Sequence, residues 1–144
     1  MAHRVERSAL VNYSAQQMFD LVNDIEAYPQ FMEGCTGAKI LARGDGWLEA
    51  RLELHKAGVS QSFVTRNQLQ PPHSMSMELV DGPFKYLRGL WRFVPLADAA
   101  CKVSFELEFE LQNRLLGMAV GKLFEGVSNK QVDALCVRAK QVYR

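Results

Sequence analysis

NRLLGMAVGKLFEGVSNKQVDALCVRAKQVYR, residues 113–144, is the stretch on which the reading of this chain turns. Asn113 supplies a helix N-cap. Behind it Leu116, Val120, Leu123, Phe124, Val127, Val132, Leu135, Ala139 and Val142 recur at steps of three to five residues, the spacing of a helix face. The sequence therefore predicts one long closing helix with an apolar stripe. The stripe is irregular, because at about 100° per residue its halves, up to Val127 and from Val132, are offset by roughly a quarter turn. Gly117, Gly121 and Gly126 lie in the first half, where each costs about 1 kcal/mol against alanine. They imply a bend, a close approach to the surface on which the helix packs, or room left beside it. Lys122, Glu125 and Lys130 exclude a membrane span.

Such a stripe needs an apolar surface, and the chain before it reads as strands. Val103, Phe105, Leu107, Phe109 and Leu111 alternate with Lys102, Ser104, Glu106, Glu108 and Glu110, the period-two signature of a half-buried strand. Residues 38–43 and 47–56 form a hairpin around Gly44-Asp45-Gly46, with Leu48, Ala50, Leu52 and Leu54 on one face and Glu49, Arg51, Glu53 and His55 on the other. Residues 59–68, 74–80 and 84–95 are further strand-sized runs, separated by turns at Ala57-Gly58, Gln70-Pro71-Pro72-His73 and Asp81-Gly82-Pro83. Residues 3–11 read as the first strand. After it, Ser14 and Gln17 make a capping box, and Tyr13 and Met18 a hydrophobic staple, so a helix begins at Ser14. Its apolar face is Met18, Val22 and Ile25, and it should stop before Pro29. Residues 28–32 are too apolar for a free linker and read as a second short helix, docking Phe31 and Met32 on the sheet or covering an opening.

Strand, helix, short helix, six strands and long helix describe an α+β domain. Short connections make the strands an antiparallel meander, and their one-sided alternation requires the helices to cover one face. The expected architecture is a curved seven-stranded antiparallel sheet wrapped around the long C-terminal helix, with two short helices after the first strand. Residues 1–144 form a single domain in this reading. A net charge of +1 gives no general attraction to nucleic acid or anionic membrane, so such a partner must meet a local patch. Cys35, Cys101 and Cys136 are odd in number and lack Cys-x-x-Cys spacing, which implies free thiols. No apolar leader precedes the first strand, and a cytoplasmic protein without a transmembrane anchor is expected.

If the alternation holds, Leu52, Leu54, Phe63, Met75, Met77, Trp91, Phe93, Phe105 and Phe109 face Val120 and Phe124 of the closing helix, either as plain core or as the wall of an apolar cavity. Tyr28, Phe31, Met32 and Phe84 would stand at its mouth. His3, His55 and His73 do not converge, and no nucleophile elbow, zinc helix or acidic metal loop is present in the sequence. No catalytic residue, metal or required cofactor is therefore assigned. Glu106, Glu108 and Glu110 face Arg88, Arg92 and Lys102 in a predicted cross-strand charge ladder. Basic residues otherwise gather as Lys85, Arg88 and Arg92, and as Lys130, Arg138, Lys140 and Arg144.

Three stretches resemble one family. Tyr13-Ser14 through Met18, Leu21-Val22-Asn23-Asp24, and Tyr28-Pro29-Gln30-Phe31 with Cys35 are similar to the amino-terminal signature of the coenzyme Q-binding and ribosome association toxin A family. Asp81-Gly82-Pro83-Phe84-Lys85-Tyr86-Leu87 with Gly89, Trp91 and Phe93 resembles its central signature, and Leu123-Phe124 with Val132, Ala139 and Tyr143 its closing helix. One departure is Met32-Glu33-Gly34, where relatives carry a proline. The resemblance implies a helix-grip fold of the steroidogenic-acute-regulatory-related (START-like) kind, grouped under polyketide cyclase/dehydrase. The leading function it implies is a non-enzymatic binding protein holding ubiquinone or a related isoprenoid lipid in the cavity and supporting respiration. The alternative is a toxin-type translation regulator that binds the large ribosomal subunit and blocks subunit association, with Lys85, Arg88, Arg92, Lys130 and Arg138 as contacts. A third is a cyclase or hydratase acting in the cavity. Sequence-specific DNA binding is not expected.

Overall fold

The computed structural model describes residues 2–143, apart from the side chains of residues 114–117. Leu116, Gly117 and Arg144, named above, lie outside the described residues. The elements are β1 (His3–Val11), α1 (Ala15–Asn23), a 3₁₀ helix (Ile25–Gln30), β2 (Cys35–Gly44), β3 (Trp47–Lys56), β4 (Val59–Gln70), β5 (Ser74–Asp81), β6 (Phe84–Ala97), β7 (Ala100–Leu111), α2 (Arg114–Asn129) and α3 (Gln131–Val142). The strands form one antiparallel sheet in the order β1-β7-β6-β5-β4-β3-β2. The six later strands are a meander, and β1 returns to pair with the last of them, which leaves the helices on one face.

The alternation expected for β7 is present, since Cys101, Val103, Phe105, Leu107 and Phe109 are buried while Lys102 and Glu106 are exposed. The β3–β4 turn places Ala57 at φ 52° and Gly58 at φ 78°, the left-handed pair of a tight hairpin turn. The capping box at α1 is formed: the Ser14 hydroxyl accepts from the Gln17 backbone N–H at 3.1 Å, and the Gln17 side chain accepts from the Ser14 N–H at 2.9 Å.

Two helices differ from expectation. First, α1 ends before Pro29 as expected but already at Asn23, because Asp24 leaves the helical region at φ −84°, ψ 66°, so Ile25 falls in the 3₁₀ helix that follows, which contains Pro29. The short helix expected over residues 28–32 is only its last turn, where the Phe31 and Met32 N–H groups both bond to the Tyr28 carbonyl. Second, the closing helix is two helices. At Lys130 the backbone relaxes to φ −98°, ψ −2°, and its N–H bonds to the Val127 carbonyl at 3.2 Å, one residue short of the α-helical partner. The break falls between the two halves of the stripe and not at a glycine. It lets α2 lie on β1, β3, β4 and β7 while α3 turns onto α1, β1 and β7.

The glycines of α2 have different reasons. A Cβ at Gly121 would lie 3.3 Å from Leu111 Cδ1 and 3.5 Å from His3 Nε2, so this glycine lets α2 approach the end of the sheet closely. A Cβ at Gly126 would meet nothing within 4 Å. Gly126→Ala should therefore raise stability by about 0.4–1 kcal/mol in urea unfolding, and Gly121→Ala should gain less or lose, because Leu111 must give way.

Candidate functional site

The inner wall of the sheet is built from cross-strand pairs. Leu52 lies opposite Phe63, Ala50 opposite Thr65 and Leu48 opposite Asn67. Beyond them Asn67 faces Met77 and Leu69 faces Met75, then Met75 faces Trp91 and Trp91 faces Phe105. At one end of this wall α2 is held by rings. The Phe124 centroid is 5.1 Å from Phe63, 5.1 Å from Phe84 and 4.8 Å from Phe109, with the rings steeply tilted. His3 stacks on Phe109 and its Nδ1–H donates to the Glu125 carboxylate of α2 at 3.1 Å, so β1 joins the cluster. At the other end Trp91 lies against Phe105 at 4.5 Å and Phe93 at 6.3 Å, and Phe19 of α1 meets Phe93 edge-on. Leu54, Val120 and Met75 are buried with them.

Between these clusters the wall is not sealed. Ile40, Leu52, Leu69, Met77 and Leu79 point to the inner face, as their pairing with Ala50, Phe63, Met75, Asn67 and Thr65 requires, yet each is only half-buried. Apolar wall on β2 to β5 thus reaches solvent. Two polar side chains lie within it, Thr65 at 4% and Asn67 at 2% exposure. The Thr65 hydroxyl donates to Asn67 Oδ1 at 2.8 Å, and Asn67 Nδ2 has as its partner Met75 Sδ at 3.7 Å. A thioether is a weak acceptor, and a buried amide donor left without a full partner costs about 1–3 kcal/mol. The sequence reading missed this pair. The signal was present, since Thr65 and Asn67 continue the inward register of Phe63.

The residues assigned to the mouth divide. Tyr28, Met32 and Phe84 are buried, Phe84 at the centre of the ring cluster, and Phe31 is half-buried with its ring 5.8 Å from Tyr28. The Tyr28 hydroxyl donates to the Val22 carbonyl, and burial, with Cys35 and Asp24 nearby, raises its phenol well above the ordinary value of about 10. The segment after the 3₁₀ helix is clasped to the α2–α3 junction from outside. Glu33 bridges Lys56 at 3.0 Å and Lys130 at 3.5 Å, and Arg138 donates to Gln30 at 3.2 Å while lying over the Phe31 ring. The two lysines hold the Glu33 carboxyl below the usual carboxylate range.

On the outer face the charge ladder is partial. Arg88 meets Glu108 at 2.8 Å and Lys85 meets Glu110 at 3.9 Å, whereas Arg92 stands opposite Ser74 and Ser104. In the next row Lys102 is flanked by the exposed Leu10 and Val94. Among the described residues neither Arg92 nor Lys102 has a carboxylate within salt-bridge distance. Lys85, Arg88, Lys130 and Arg138 are thus occupied by neighbours, and Arg92 is the one assigned ribosome contact left unpaired among the described residues. The His55 ring bonds to the Ser60 hydroxyl and His73 lies in the β4–β5 turn, so the histidines stay apart. Among the described residues no three His, Cys, Asp or Glu side chains gather as a metal site, and no helix is long and apolar enough to cross a membrane.

Residues 11–136 match the family described as polyketide cyclase / dehydrase and lipid transport. The chain belongs to this family. Within it, the chain is 49% identical over 140 residues to the ribosome association toxin RatA of Escherichia coli strain K12, covering 97% of this chain and 89% of that one. It is also 28% identical over 140 residues to the mitochondrial coenzyme Q-binding protein COQ10 homolog B of Xenopus laevis, covering 94% of this chain and 57% of that one. The Zhui aromatase/cyclase of a Streptomyces species superposes with a TM-score of 0.86 at 18% identity, covering 100% of this chain and 97% of that one. That likeness establishes the START-like helix-grip fold and carries no chemistry at such identity. The polyketide cyclase / dehydrase fold of this chain therefore has a half-open apolar grip with one polar spot in its wall.

Two measurements check the geometry. Phe124→Ala should cost about 3–5 kcal/mol in urea unfolding, as loss of a ring that touches three others demands. Because the phenol of Tyr28 titrates near 10 when unfolded and higher when folded, its contribution is fully present below about pH 10 and is lost as pH rises further. Tyr28→Phe should cost about 1 kcal/mol at neutral pH and make stability fall less steeply above about pH 10.

Proposed function

We propose that this protein acts in the cytoplasm as a non-enzymatic, ribosome-associating regulator, binding the large subunit and interfering with subunit association. The observation that supports this most is the 49% identity to a ribosome association toxin across 97% of the chain. That relative is much nearer than the coenzyme Q-binding one, which reverses the order that the sequence alone suggested. The contact surface we assign is the outer end of β6 and β7, where Arg92 and Lys102 are free of carboxylates among the described residues and Leu10, Val94 and Leu96 are exposed. Lys85 and Arg88 contribute less, since binding phosphate would require breaking their pairs with Glu110 and Glu108.

A second reading is favoured by the half-open inner wall: the grip holds an apolar molecule, ubiquinone or a related isoprenoid lipid, in support of respiration. Burial at about 25 cal/mol per Å² supplies the affinity without any cofactor or metal. The two readings use opposite faces of the sheet and do not compete. Cyclase or hydratase chemistry would need a proton donor or acceptor in the wall, and Thr65 and Asn67 supply neither at physiological pH.

The test is sedimentation of purified subunits with the protein at low salt. Co-sedimentation with the large subunit should fall steeply with added salt, and Arg92→Glu with Lys102→Glu should flatten the log K against log salt slope by about 0.7–0.9 for each phosphate no longer neutralised. Lys85→Glu should change it less. Subunit profiles unaltered by the wild-type protein at low salt would overturn the ribosome reading.

A further inference from the structure

The Thr65–Asn67 pair lies in the wall with a donor that the fold does not use well. The Thr65 hydroxyl holds Asn67 Oδ1 at 2.8 Å and so fixes which end of the amide faces Met75. Flipping the amide would put an acceptor oxygen against the acceptor sulfur, so the orientation is determined by both neighbours. Asn67 Nδ2 carries two hydrogens and has, among the described residues, only the Met75 thioether at 3.7 Å. The side chain is 2% exposed, yet its cross-strand neighbour Met77 and the adjoining wall residues Leu52, Leu69 and Leu79 are half-exposed. A strong donor is thus held in a fixed direction inside apolar wall that reaches solvent.

We infer that Asn67 is the specificity-determining donor for a carbonyl oxygen on an apolar ligand, with Thr65 as the residue that positions it. This rests on the second reading above, that the grip takes up an apolar molecule, and it narrows the class. Molecules with an acceptor oxygen on an otherwise apolar frame are selected over hydrocarbons of the same shape. A quinone ring carbonyl meets this requirement, and an isoprenoid tail has Leu52, Leu69, Met77 and Leu79 to lie along. A protonated hydroxyl is served less well, because the wall offers a donor and Asn67 Oδ1 is already engaged by Thr65.

The experiment compares wild type, Asn67→Leu and Thr65→Val for binding of a short-chain ubiquinone and of an alkylbenzene with the same tail and no oxygens. Each single substitution leaves the other partner's buried polar atom without its hydrogen bond and should lower the thermal midpoint, whereas the double variant Thr65→Val with Asn67→Leu removes both and should hold or raise it. A pair serving stability alone would lower it in the double variant as well. For wild type the quinone should bind about 10-fold tighter than its oxygen-free counterpart, the difference expected of one buried hydrogen bond, and Asn67→Leu should erase that preference. Thr65→Val should reduce it partly. The carbonyl stretch of bound quinone in difference infrared spectra should lie lower in wild type than in Asn67→Leu. Equal quinone affinity in wild type and Asn67→Leu overturns the inference and leaves the apolar-ligand reading standing. Uptake of neither molecule by folded wild type overturns both. If Asn67→Leu fails to fold, the wild-type preference and the carbonyl shift of quinone bound to wild type against free quinone in hydrocarbon solvent decide alone, and the absence of either overturns the inference.

Discussion

Phe124 is the point at which helix and sheet become one core. A one-sided sheet cannot stay open to water along its apolar face, and a helix with an apolar stripe cannot lie free. The contact that settles both is one ring of α2 set among Phe63 of β4, Phe84 of β6 and Phe109 of β7. In the sheet β5 lies between β4 and the β6–β7 pair, so the cluster also fixes the curvature that brings their inner faces toward one helix. The remaining helical contacts follow from it. With α2 pinned at one end of the wall, the chain must change direction to cover the other, and it does so at Lys130.

That change of direction shows where sequence reading runs out. The strands were legible because period-two alternation is a strong signal, and β3 and β7 match it residue by residue. The start of α1 was legible because Ser14 and Gln17 satisfy each other's backbone donors in a way few other pairs do. The break at Lys130 had only an indirect trace, the quarter-turn offset between Val127 and Val132. No glycine or proline marks it, and lysine is a good helix former, so propensity pointed the other way. Tertiary packing decided, since two half-stripes with different directions bury more than one straight stripe would.

The charges and the polar wall residues were misjudged for related reasons. Basic residues close in sequence, such as Lys85 and Arg88, were grouped as a patch, but strand neighbours two residues along β7 hold their partners, Glu108 and Glu110. Only the cross-strand register shows that Arg92 faces serines instead. In β4 the eye follows Phe63 and passes over Thr65 and Asn67, because polar residues in an alternating strand are assigned outward. Register leaves no such freedom. A slip by one residue would expose Phe63, so Asn67 must go in with it.

An inward asparagine in an apolar wall is therefore a cost the fold accepts at a defined place. Leucine at 67 with valine at 65 would leave nothing unpartnered, and Ala50 and Leu48 opposite already provide an apolar surface. Retention of the amide is easier to understand if it sometimes meets a better acceptor than the Met75 thioether. The outer face makes the complementary argument. Unpaired cations on β6 and β7 beside exposed Leu10 and Val94 contribute little to a folded monomer, since surface charges away from carboxylates are close to neutral for stability. One sheet thus carries a weakly partnered donor on its inner side and, among the described residues, cations without carboxylates on its outer side. Each departs from what folding alone requires.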